Sequence, residues 1–337
     1  MTLYPANQKG QTIGPFTPSD NEVHEQLWTP IVNGDELVIE VRVPEEERPQ
    51  LELELSSVNH DFVGFAGITS VSGSCNLDVI CGAADGWEIV DNYRDIIRSV
   101  AVISTGGGTF CTGFLVNNVN SDCTPFFMTA EHCGIDADDA PSLVTYWNYE
   151  NSTCRQPNST ESGEDGDGVL IDFNTGSIWR AEWEPSDVTL VELDDPVSET
   201  ADAFLAGWSA EFMMPIDTVI GIHHPATDEK RISFEFDQTT AGAGNNNVVD
   251  LDEATHVIVN DWDIGTTEGG SSGSPLFNSQ KQVVGQLTGG GAACGNDAHD
   301  IYGWFYTSWF GGGTPETALR FWLDPDDTGV TSIPGKD

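Results

Sequence analysis

Three short stretches carry residue types that together could activate a hydroxyl. Gly270-Ser271-Ser272-Gly273-Ser274-Pro275 sets one glycine two residues before a serine and another directly after it. These glycines permit a tight turn that exposes the Ser272 hydroxyl and aims the backbone N–H groups of Gly270 and Ser272 at one point. Such convergent donors stabilise a developing oxyanion by roughly 2.7–4 kcal/mol each. The second stretch, Phe126-Phe127-Met128-Thr129-Ala130-Glu131-His132-Cys133, is an apolar run that ends by delivering a histidine. A serine hydroxyl is a poor nucleophile until such a base takes its proton. Cys133 could pin this turn to the neighbouring strand at Cys111. In the third stretch Asp187 opens the run Val188–Leu193, where burial against the imidazole would fix its tautomer. Singly, these features also read as a flexible Gly/Ser loop, a structural histidine and a commonplace strand-entrance acid. Their weight lies in the chain order His132, Asp187, Ser272, an expected catalytic triad that needs no cofactor and no metal.

The elements that must position these groups are short strands. Runs of five to nine residues, rich in β-branched and aromatic side chains, recur between Gly, Asn, Asp and Pro clusters. They are Ile96–Ser104, Phe110–Val116, Pro125–Ala130, Leu143–Tyr149, Val188–Leu193, Thr218–Ile222, Thr255–Val259, Gln282–Leu287 and Phe305–Trp309. One helix is expected from Pro315-Glu316-Thr317 to Pro325, with Leu319, Phe321, Trp322 and Leu323 on its apolar side. Residues 1–69 hold no cysteine and carry two strand-like runs, Leu37–Val43 and Leu51–Leu55. The second alternates leucine and glutamate with period two. This segment is expected to be an N-terminal β extension or propeptide remnant before a unit spanning 70–337, with processing near Ser70–Ser72.

Composition narrows the function classes. Asp and Glu total 55 against 12 Lys and Arg, a formal net charge of −43. Such a surface repels phosphate backbones and anionic lipid, so neither nucleic acid nor membrane is an expected partner. The charge reads either as solubility in a salty medium or as a field that draws in cationic substrates. No run reaches the roughly 18 apolar residues of a membrane span. Seven cysteines, at 75, 81, 111, 123, 133, 154 and 294, form no CxxC pair. Disulfides in an oxidising compartment are therefore expected rather than a structural metal. The opening MTLYPANQKGQTIGPF shows no signal peptide, and the chain is expected to be a secreted monomer.

Together these stretches resemble the trypsin-like serine peptidases, and more closely the bacterial lysyl endopeptidases. The likeness runs from about Ser72 to Asp324. It includes Ser72-Gly73-Ser74-Cys75-Asn76-Leu77-Asp78-Val79, Arg94-Asp95-Ile96-Ile97-Arg98, His223-His224-Pro225 and Phe305-Tyr306-Thr307-Ser308-Trp309. The resemblance implies an all-β fold of two six-stranded antiparallel β-barrels of chymotrypsin type with a C-terminal helix. It also implies disulfides Cys75–Cys294, Cys81–Cys154 and Cys111–Cys133, leaving Cys123 unpaired. The implied activity is hydrolysis of protein or peptide substrates with a basic residue before the scissile bond.

Specificity is where the chain departs from the ordinary pattern. Thr266 stands six residues before Ser272, where trypsins carry the pocket aspartate. The lysyl endopeptidases place that acid just ahead of a Tyr-Gly pair, and Asp300-Ile301-Tyr302-Gly303 matches. Asp300 is therefore the expected substrate-binding residue. The family's tryptophan and histidine near this site find no counterpart in Thr239–Asn247 or at Thr288. Lysine remains the expected preference, with arginine as a relaxed alternative. Ser271 replaces the aspartate that pairs with a freed N-terminus in many trypsin relatives, so activation by N-terminal insertion is not expected. The rivals are a catalytically idle relative that binds proteins through the cleft, a peptidase of the same fold with another specificity, and a metal hydrolase built on His223-His224. Adjacent strand residues point to opposite faces, which makes the last a poor metal site.

Overall fold

Short apolar runs closed by turn residues can satisfy their backbone only by pairing with one another, and among the described residues they do so in two large sheets and one two-stranded ribbon. The computed structural model describes residues 1–7, 12–60, 71–245 and 247–337. A seven-stranded antiparallel sheet has the spatial order Asp172–Thr175, Val144–Trp147, Val100–Thr105, Thr109–Leu115, Phe126–Ala130, Val188–Leu193, Ser177–Trp183. A ten-stranded sheet has a central set of six: His256–Val259, Asp300–Trp304, Gln282–Gly290, Pro275–Asn278, Val219–His223 and Arg231–Glu235. Short strands Leu77–Asp78, Thr240–Gly242, Gly207–Ser209 and Ser332–Ile333 add to this set and raise the count above the six expected. All pairings in it are antiparallel except that of Gly207–Ser209 with Gln282–Gly290.

The two sheets share one core. Val100, Phe114, Met128 and Leu190 of the first pack in a single buried cluster with Ile220, Ile232, Phe277 and Val283 of the second. Trp208, fully buried in that cluster, stacks on Phe305 and meets Trp309 at 4.5 Å between ring centroids. Its Nε1 donates to the Asn117 carbonyl at 2.7 Å.

Three segments depart from the strands and helix expected. Phe305–Phe310 is an α-helix, not a strand. Phe305, Ser308 and Trp309 are its buried residues, a spacing of three and four that only a helix turns to one side. The C-terminal helix is confined to Arg320–Leu323. The Leu319 N–H donates across to the Ser308 carbonyl at 3.1 Å, so Pro315-Glu316-Thr317 forms a turn ahead of it. Leu51–Leu55 forms no strand, and its three leucines are exposed, because among the described residues no neighbouring strand supplies a ladder. Leu37–Glu40 does pair, with Thr2–Pro5.

The N-terminal segment contacts the first sheet. His24 Nε2 lies 2.9 Å from Asp194 Oδ2, and Trp28 and Ile31 pack with Val102, Val144, Tyr146 and Tyr149. The boundary expected at 69, and Ser70 of the expected processing site, lie outside the described residues. Cys75–Cys294, Cys81–Cys154 and Cys111–Cys133 are bonded, and Cys123 is free and exposed.

Trp208→Ala would empty the shared core and strand the Asn117 carbonyl. A loss of about 3–5 kcal/mol in unfolding free energy is predicted, read from urea melts as a lower midpoint at unchanged slope.

Candidate active site

Antiparallel register brings the histidine and the aspartate together before any side chain is considered. Ala130 pairs with Val188, so the chain leaving one strand runs beside the chain entering the next. Glu131–Cys133 turns as a 3-10 helix after the first strand, and Glu184–Ser186 turns as another before the second. Asp187 ends that turn in the left-handed region, φ 54°, a conformation that costs a non-glycine residue about 1–2 kcal/mol.

The strain is offset by the bonds it permits. The His132 backbone N–H donates to Asp187 Oδ1 at 2.9 Å, and the ring Nδ1 donates to Oδ2 at 2.9 Å. The Glu131 N–H donates to the Asp187 carbonyl at 3.0 Å. Asp187 is buried, while the His132 side chain is 40% exposed. The Asp187 hydrogen bond holds the imidazole's pKa above its ordinary value, against the opposing effect of burial. Among the described residues the other ring nitrogen, Nε2, has no protein partner. An imidazole fixed at Nδ1 in this way has its second nitrogen available to accept a proton.

The Ser272 loop sits against the same strand end. The Thr112 N–H donates to the Ser272 carbonyl at 2.8 Å, and Thr112 Oγ1 donates to the Gly270 carbonyl at 2.9 Å. Gly273, at φ 81°, passes so close to Thr129 and Ala130 that any side chain there would overlap them. Ser271 N–H, Gly273 N–H and Ser274 N–H are all bonded within the fold. Among the described residues the N–H groups of Gly270 and Ser272 donate to no protein acceptor. Ser272 itself is half-buried.

Asp300 is buried at the entrance of its strand. Its carboxylate accepts from Thr267 Oγ1 at 2.7 Å, Trp262 Nε1 at 2.8 Å and the Ala292 N–H at 3.3 Å. Thr267 is five residues before Ser272, so Asp300 abuts the segment that leads into the serine loop. Burial raises its pKa, and the three hydrogen bonds oppose that rise. Among the described residues it pairs with no lysine or arginine.

Trp262, Gln286 and His256 adjoin the site without standing in any of the stretches that the sequence marks for chemistry. Trp262, not a residue of Thr239–Asn247, is the tryptophan beside Asp300. Gln286 reaches from the second sheet to the first, its Nε2 donating to the Ser186 carbonyl at 2.7 Å and the Asp187 carbonyl at 3.0 Å. Gly303 leaves the space for this contact, since a Cβ there would overlap both the Ser186 carbonyl and the Gln286 amide. The available signal was a glutamine inside the apolar run Val283–Leu287. His256 is buried with its pKa pushed down to about 4 by desolvation, which the Asp187 charge opposes. His223 and His224 are both buried: His223 bonds Ser271 Oγ at 2.9 Å and Ser233 Oγ at 3.0 Å, while His224 Nδ1 donates to the Asp228 carbonyl at 2.9 Å.

With this geometry in place, comparison with known proteins decides the family. The family profile described as "Lysyl endopeptidase, C-terminal domain" matches residues 69–305. The chain belongs to the lysyl endopeptidase family. It is 30% identical over 300 residues to the lysyl endopeptidase of Pseudomonas aeruginosa, an alignment covering 85% of this chain. The chain spans 62% of that relative's length. Among solved structures, kallikrein-related peptidase 10 is 14% identical at a TM-score of 0.42, covering 70% of this chain and 98% of its own. A scabies mite inactivated protease paralogue is 17% identical at 0.39, covering 63% and 90%. Membership of the lysyl endopeptidase family rests on the profile match.

The His132 imidazole is predicted to titrate above the ordinary value of about 6.5, read from its ring-proton shifts by NMR. Asp187→Asn removes the raising interaction, so its titration should move to lower pH. Gly303→Ala, which displaces Ser186, should move it the same way.

Proposed function

We propose that this chain is a secreted serine endopeptidase of chymotrypsin type, with His132, Asp187 and Ser272 as its triad. The observation that carries the reading is the doubled hydrogen bond from His132, backbone and ring, to buried Asp187. Ser272 Oγ attacks the scissile carbonyl carbon while His132 Nε2 takes the hydroxyl proton. The N–H groups of Gly270 and Ser272 donate to the oxyanion of the tetrahedral intermediate. His132 then gives its proton to the leaving amine as the C–N bond breaks, leaving an acyl group on Ser272. Water repeats the sequence, with His132 as base, and releases the acid. Three disulfides accord with an oxidising, extracellular setting.

Asp300 supports a preference for lysine at the acyl side of the cut. A buried carboxylate without a protein cation is expensive unless a partner arrives, and a substrate ammonium is such a partner. Hydroxyl and indole donors already occupy the carboxylate, which leaves room for a compact ammonium more readily than for a planar, forked guanidinium. The excess of 55 acidic over 12 basic residues raises the local concentration of cationic peptides.

Digestion of a mixed peptide library tests the reading. Cuts after lysine, absent in Ser272→Ala, are expected; cuts after arginine as well would keep Asp300 in the pocket and end strict selectivity. Asp300→Asn should raise KM for lysyl substrates by roughly two to three orders of magnitude, the range for breaking a buried pair. Cuts after apolar or acidic residues would remove Asp300 from the pocket.

A further inference from the structure

The loop that carries Gly270 and Ser272 contains three glycines between 269 and 273, so its own sequence does little to hold two N–H groups in one direction. Its order must come from what it leans on. Beneath it lies the turn Pro225–Asp228. The Ala226 N–H donates to the Gly269 carbonyl at 2.6 Å, and a Cβ on Gly270 would come within 2.7 Å of the Thr227 nitrogen. That turn is strained, with Ala226 at φ 54° and Thr227 at φ 59°, two consecutive non-glycine residues in the left-handed region.

Two carboxylates connect this assembly to the segment Ser72–Asn76. Buried Asp228 closes the strained turn, and its Oδ2 accepts from the Ser72 N–H at 3.0 Å and the Ser72 hydroxyl at 2.7 Å. Glu268 stands two residues before Gly270. Its Oε1 accepts from the Gly73 N–H at 2.8 Å and the Asn76 side-chain amide at 2.7 Å. Glu268 also exchanges bonds with Ser271, donating its N–H to the Ser271 hydroxyl at 3.2 Å and accepting the Ser271 N–H at 3.0 Å. The segment is itself anchored, by the Cys75–Cys294 disulfide and by Leu77–Asp78 joining the second sheet. Hydrogen bonds to ionised acceptors are roughly twice as strong as neutral ones, so four of them make a firm tether.

We infer that Asp228 and Glu268 are positioning residues, which hold the oxyanion donors in aim by tying their loop and its supporting turn to Ser72–Asn76. The inference rests on the serine-peptidase reading and adds to it. Ser271 cannot form an ion pair of its own, and here backbone and side-chain donors of Ser72, Gly73 and Asn76 supply the charge-stabilising contacts to its neighbours. The tether touches neither Ser272 nor His132, so it acts only through the direction of the Gly270 and Ser272 N–H groups. Its loss should weaken binding of an oxyanion and leave ground-state binding alone.

The experiment compares the full chain with Glu268→Gln and Ser72→Ala. Each is assayed for kcat and KM on a lysyl peptide amide. Inhibition by a lysine-ended peptide aldehyde, whose adduct with the serine places an oxyanion in the hole, is compared with inhibition by the corresponding peptide alcohol, which places none. Glu268→Gln is expected to lower kcat roughly tenfold with KM unchanged, and Ser72→Ala roughly threefold. Aldehyde affinity should fall by the same factors while alcohol affinity holds. If both variants keep kcat and aldehyde affinity within about twofold of the parent, or lose only thermal stability, the inference is overturned. Should Glu268→Gln fail to fold, Ser72→Ala, which removes one hydroxyl, decides alone. A parent chain that forms no aldehyde adduct would overturn the serine-peptidase reading itself, and this inference with it.

Discussion

Asp187 must be buried, fully hydrogen-bonded and left-handed at once, and much of the molecule is arranged around that requirement. A buried carboxylate is tolerated only with its lone pairs occupied, and the His132 N–H and ring supply the occupants. They reach it only because Ala130 and Val188 are in register. The left-handed backbone that presents the carboxylate is unfavourable alone, and Gln286 from the other sheet grips the Ser186 and Asp187 carbonyls. That grip needs the bare backbone of Gly303, next to Tyr302 on the strand that starts at Asp300. The strand that bears the expected specificity residue therefore also helps hold the expected base.

This mutual dependence explains why the seam between the sheets is apolar and shared. A seam of polar contacts would let the sheets shift, and a shift of an ångström would uncouple Gln286 from Asp187. Trp208, Phe305, Trp309, Phe277 and Phe114 fill it instead. Charge is handled separately. Arg155 and Arg231 are buried with Asp78, Asp228 and Glu229, and buried Lys230 pairs with half-buried Glu150. Three of the chain's 12 basic residues are thus held in internal pairs, each against at least one carboxylate.

The strands were legible where local pattern and long-range pairing agree. Val188–Leu193 matches its run residue for residue, and Phe126–Ala130 differs from its run by one. The meeting of Asp187 with His132 was legible because chain-local signals, a strand end and a strand entrance, mark both, and their catalytic role is the proposal built on it. The disulfide pairings came with the resemblance to the lysyl endopeptidases, since spacing alone allows many. Pattern failed where a distant partner decides. Phe305–Phe310 has strand-like composition but buries a helical face, and Leu51–Leu55 alternates well but finds no pairing strand among the described residues. Trp262 lies 38 residues from Asp300 along the chain, and Gln286 about a hundred from Ser186. No window of sequence contains either contact.

The central claim is that Ser272 is a nucleophile activated by an imidazole that Asp187 holds in place. Labelling with a fluorophosphonate, located by mass spectrometry of the digested adduct, tests it most directly. The account predicts a single label on Ser272, abolished in Ser272→Ala and slowed by orders of magnitude in His132→Ala, with both variants folded. Labelling at another residue, or undiminished labelling of Ser272 without His132, would contradict it.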